Sequence, residues 1–83
     1  MEIKDAKIMF DGGAFKSAVV ARMPMSKGYT VTFNVHPKFK SLTTYYFLTG
    51  QRTKDEPRIF SSIDAAVLNA QKVGFQTITV DLS

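Results

Sequence analysis

A catalytic reading of this chain has few side chains to work with. There is no cysteine, and His36 is the only histidine. A general base needs a partner that positions it. His36 is followed by Pro37, and no carboxylate stands near it in the chain. Asp5, Asp11, Asp55, Glu56 and Asp64 show neither the paired spacing of acid–base carboxylates nor that of metal ligands. Ser61 and Ser62 stand where a helix begins, with no nucleophile elbow around them. The glycines form neither a phosphate loop nor a dinucleotide fingerprint. The expectation is a protein without enzymatic activity, cofactor or metal.

Binding chemistry is better represented. The chain carries a net charge of +4, and its distribution says more than its size. No acidic residue occurs in residues 12–54, a stretch that holds Lys16, Arg22, Lys27, Lys38, Lys40, Arg52 and Lys54. Such a block suits phosphate backbones or an acidic protein surface, although +4 is also an ordinary charge for keeping a small domain soluble. Tyr45 and Phe47 lie inside the block, with Asn34 and several threonines. Aromatic rings stack on bases while cations hold phosphates, which is how single strands are bound. The expected site is Lys16, Arg22, Lys27, Asn34, His36, Lys38, Lys40, Tyr45, Phe47, Arg52 and Lys54. Its expected partner is nucleic acid, single-stranded in the preferred form, or an acidic protein surface.

The same residues fit an alternative. An uncovered sheet face or edge also serves protein–protein contact, as a regulatory or inhibitor module or as a homodimer. A small basic domain inside a nucleoprotein assembly would satisfy both readings.

These residues need a sheet to present them. Residues 29–36 alternate cleanly: Tyr29, Val31, Phe33 and Val35 face one way, and Thr30, Thr32, Asn34 and His36 the other. Residues 42–49 read as a further strand with aromatics on both faces; if Leu42, Thr44, Tyr46 and Leu48 face inward, Tyr45 and Phe47 face outward, and a one-residue slip of register exchanges Tyr45 and Tyr46. Residues 15–23 read as a strand with blurred alternation, and Lys16 and Arg22 are expected on the outer face. Residues 2–10 read as a strand on the alternation of Ala6, Ile8 and Phe10, joined to the next by the turn Asp11-Gly12-Gly13. Residues 24–28 make another turn. Residues 50–56 form a polar loop without an apolar anchor, and residues 57–60 a short edge strand.

Residues 60–75 read as the one helix. Ser61 is the expected N-cap, with Asp64 completing a capping box, and Gly74 the stop. Ile63, Ala66, Val67, Ala70 and Val73 make its apolar stripe, while Asn69 falls on the polar side. Residues 76–82 return as a strand, with Ile78, Val80 and Leu82 turned toward the helix.

The expected fold is α+β: an antiparallel or mixed sheet of four to six strands with one α-helix on one face, in the order β-β-β-β-(β)-α-β. The first four strands should form a meander, and the last should pair in parallel with the first. Eighty-three residues make one domain, 1–83. The absence of cysteine and of any long apolar run favours a cytoplasmic protein with no membrane partner.

Overall fold

The computed structural model describes residues 1–24, 27–39, 43–50 and 56–82. Its elements run α1 (Ile3–Asp11), β1 (Phe15–Arg22), β2 (Tyr29–Val35), a 3-10 turn (Pro37–Phe39), β3 (Tyr45–Phe47), α2 (Ile63–Val73) and β4 (Thr79–Asp81). The class is α+β, as expected. The element order is not, because the chain opens with a helix.

Residues 2–10 form α1 and not a strand. Their apolar positions satisfy two periods at once. Ala6, Ile8 and Phe10 alternate, but Ile3, Ala6 and Phe10 also recur at helical spacing. The structure follows the second pattern. Ala6 is fully buried, Ile3 and Phe10 pack on the core, and Ile8 is left 71% exposed. Gly12 and Gly13 end this helix and do not turn a hairpin. Their N–H groups donate to Ile8 and Phe10 carbonyls at 3.1 and 3.0 Å, and Gly13 adopts a φ of 77°.

The sheet has the order β3-β2-β1-β4. β1–β2 and β2–β3 are antiparallel, so these three strands form a meander. β4 pairs in parallel with β1 after the α2 crossover. The parallel partner is therefore the strand at 15–22, since no strand precedes it. The remaining expected strands are shorter than expected. β3 keeps only Tyr45–Phe47 of residues 42–49, and Leu42 lies outside the described residues. Residues 57–60 contribute two isolated bridges, Thr49–Pro57 and Tyr29–Phe60. Residues 51–55 of the expected polar loop, and residues 25 and 26 of the expected turn, also fall outside the described residues.

Both helices contact each other, and α2 lies against β1 and β2. Ala18 and Val20 of β1, Val31 and Phe33 of β2, Leu48 and Phe60 meet Ala6, Ala66, Ala70 and Val73 in one core. Small residues on both helices permit close approach to each other and to the sheet. Val80 and Leu82 do not join this core; both are exposed on the outermost strand and its end. Phe10, Phe15, Phe33, Tyr46 and Phe75 form a linked aromatic group. Phe33 and Phe75 are nearly parallel at 5.7 Å, and Phe10 meets Phe75 edge-on at 4.7 Å.

The helix at 63–73 starts one residue later than the capping-box reading requires. Ser62 is the N-cap, and its Oγ accepts from the Ala65 N–H at 3.1 Å. The two serines are equivalent by type, and the chain uses the second. Gly74 is the stop, with φ of 132° and the Phe10 ring packed where a Cβ would project. Asn69 is only 8% exposed, contrary to its placement on the polar side. Asn69 Nδ2 donates to the Ala65 carbonyl at 2.8 Å, so the buried amide is partnered within α2.

Candidate binding face

The register fixes which side chains share the surface opposite the helices. Ala18, Val20, Val31 and Phe33 are core, so their neighbours Ser17, Val19, Ala21, Thr30, Thr32 and Asn34 point the other way. β3 extends this surface with Tyr45 beside Asn34 and Phe47 beside Thr32. Across the sheet the rows read Ser17–Asn34–Tyr45 and Thr79–Val19–Thr32–Phe47. Tyr45 is 47% and Phe47 37% exposed, and their rings meet edge-to-face at 5.3 Å. Such a pair occupies one ring's edge and one face of the other, leaving further ring faces to solvent.

The polar members are partly engaged. Asn34 Nδ2 donates to Ser17 Oγ at 3.0 Å, which steadies the amide and leaves its carbonyl oxygen to accept. Thr30 lies on the outer side by register but is buried, so it offers nothing to a ligand. Val19 and Ala21 give the centre of the face a partly buried apolar floor.

The expected cations divide between the two ends of the sheet. Lys16 is the extra residue of an irregularity between Phe15 and Ser17, exposed beside the Ser17–Asn34–Tyr45 row. This bulge lets Phe15 and Ala18 both turn to the core. Lys38 is exposed in the 3-10 turn that follows β2, at the same end. Arg22 pairs with Tyr29 and belongs to the Ala18–Val20 side of β1, so its expected place on the outer face is corrected. It is exposed where β1 ends. Lys27 is exposed in the adjoining turn. Arg22 stands six positions along the strand from Lys16, a distance of roughly 20 Å. Lys40, Arg52 and Lys54 lie outside the described residues.

His36 organises the loop. Its main-chain N–H donates to the Ala14 carbonyl at 2.7 Å, and its Nδ1 accepts from the Lys38 N–H at 3.2 Å. The ring thus holds the turn that carries Lys38 and the exposed Phe39.

Among the described residues there is no cluster of three metal-ligating side chains, and no buried side-chain nitrogen or oxygen lacks a hydrogen-bond partner. No helix among them is long and apolar enough to cross a membrane. Compared with protein-family models, curated proteins and solved structures, the chain finds no significant match.

Proposed function

We propose that this protein is a non-enzymatic binding module whose open sheet face takes single-stranded nucleic acid. The observation that carries this reading is the exposed Tyr45–Phe47 pair, set next to Asn34 and Thr32 on a face that no described helix covers. Two neighbouring rings on alternate strand positions offer stacking surface to any base. Asn34 and Ser17 add hydrogen-bonding groups in the next row. Lys16 and Lys38 supply cations at the Tyr45 end, and Phe39 adds a further exposed ring there. Arg22 and Lys27, at the other end, are too distant to serve the same nucleotide.

A salt titration of binding to a short single-stranded oligonucleotide tests the reading. With two cations beside the rings, log affinity should fall linearly with log salt, with a slope of about −1.4 at roughly −0.7 per phosphate contact. Absence of binding at low salt removes the proposal.

A second reading has its own observation. β4 is an edge strand, all three of its residues are exposed, and Val80 in it and Leu82 just after it present apolar side chains. An apolar edge strand is a site for pairing with another chain, as in a homodimer. Sedimentation should then show concentration-dependent association that Val80→Lys abolishes. A monomer at all concentrations contradicts it.

A further inference from the structure

The central basic block holds seven of the eleven cations. The other four are Lys4, Lys7, Arg58 and Lys72, which are scattered in sequence, and all four line one cleft of about 500 Å³. The cleft is built from α1, α2 and the segments around Thr49 and Arg58, away from the Tyr45–Phe47 face. Glu2 is the one carboxylate in its lining.

We infer that this cleft is a binding site for a condensed phosphate, a di- or triphosphate chain. The inference does not depend on the sheet-face reading. Three physical features carry it. First, no described carboxylate neutralises these cations by an ion pair. Asp5, Asp11 and Asp64 lie on the same two helices, yet none of the four cations forms an ion pair among the described residues. Gathering unpaired like charges costs free energy that a polyanion relieves.

Second, three of the cations stand on the two helices and the fourth lies against a ring. Lys4 and Lys7 are one turn apart on α1, so they share a side of the helix. Lys72 projects from the last turn of α2, which the Ala6, Ala66 and Ala70 contacts fix against α1. The Arg58 guanidinium lies 4.8 Å from the centroid of the Phe60 ring, which orients its planar fork. Third, the N-terminus of α1 opens toward the same space. Its N-cap, Glu2, makes no side-chain hydrogen bond to the first turn, so the positive end of the helix adds to the field.

The ligand class follows from charge and shape. An excess of three positive charges suits several negative charges close together, as in a condensed phosphate, better than a single carboxylate or phosphodiester. The volume is that of a small-molecule site, larger than one phosphate needs. No exposed aromatic ring lines it, and Phe60 is buried beneath Arg58, so the chain of phosphates is recognised and a base is not.

Glu2 gives the inference a distinctive sign. Removing a carboxylate from an anion site tightens binding, whereas removing a cation weakens it. Isothermal titration of the full chain with pyrophosphate at low ionic strength, with inorganic phosphate and ATP as comparisons, tests both. Pyrophosphate should bind more tightly than phosphate and about as tightly as ATP. Lys4→Gln/Lys7→Gln, which alters only exposed side chains, should weaken pyrophosphate at least about tenfold, and Glu2→Gln should tighten it about threefold. Tyr45→Ser/Phe47→Ser should leave it unchanged, which separates this site from the sheet face. The inference is overturned if pyrophosphate does not bind, if ATP alone binds, if the lysine variant binds as the parent does, or if the aromatic variant loses pyrophosphate.

Discussion

Tyr45 and Tyr46 are chain neighbours that belong to opposite sides of one sheet. Tyr46 turns inward, half-buried, and meets Phe15 at 6.4 Å within a group that also holds Phe10, Phe33 and Phe75. Tyr45 turns outward, where the one ring it meets is Phe47. The inner group draws its members from α1, β1, β2, β3 and the residue after Gly74, so each ring is held by several elements. The outer pair comes from one three-residue strand, and its rings meet each other. Rings of the first kind are explained by folding. Rings of the second kind gain little for the fold, and that is why the outer face is where a ligand is proposed to sit.

The contrast can be broken from either side. Phe33→Ala removes the fully buried ring that stacks on both Phe15 and Phe75 and should destabilise by about 3–5 kcal/mol in chemical denaturation. Gly74→Ala attacks the same group through the backbone. A methyl group there meets the Phe10 ring at a φ of 132°, and the expected loss is about 2 kcal/mol. Tyr46→Ser should cost about 1–2 kcal/mol, since it removes a half-buried ring and one edge-to-face contact. Tyr45→Ser, one residue away, should change stability by less than about 0.5 kcal/mol. Equal losses for the two tyrosines would mean that the outer pair is structural. His36→Ala should act locally, releasing the Lys38 N–H and weakening oligonucleotide binding by about twofold or less, as read by the same titration.

Much of this arrangement was legible in the chain. Strict alternation over residues 29–35 places Phe33 inward and Asn34 outward, whereas residues 42–49 carry aromatics on both faces, and only the pairing with β2 puts Tyr45 and Phe47 on the outer side. Gly74 marked the end of α2 because a positive φ there favours glycine. Other features depend on information that no local pattern holds. Residues 2–10 fit two periods, and only the buried Ala6 and exposed Ile8 decide between them. Both sides of β1 are small and apolar, Ala18 and Val20 against Val19 and Ala21, so residue type does not say which side faces the core and Arg22 with it. Asn69 is polar by type yet buried with Ala66, Ala70 and Val73 in α2, which residue type does not signal. The four cations of the cleft come from positions 4, 7, 58 and 72, and their convergence exists only in the folded chain.

The central claim is that the outer rings bind and the inner rings fold. Fluorescence anisotropy of a labelled single-stranded oligonucleotide, titrated with the parent protein and with Tyr45→Ser/Phe47→Ser, tests it most directly. At roughly 1–3 kcal/mol for each stacked base, the double variant should bind at least about tenfold more weakly at unchanged stability. Equal affinity for the two proteins, or no binding by the parent at low salt, contradicts the account.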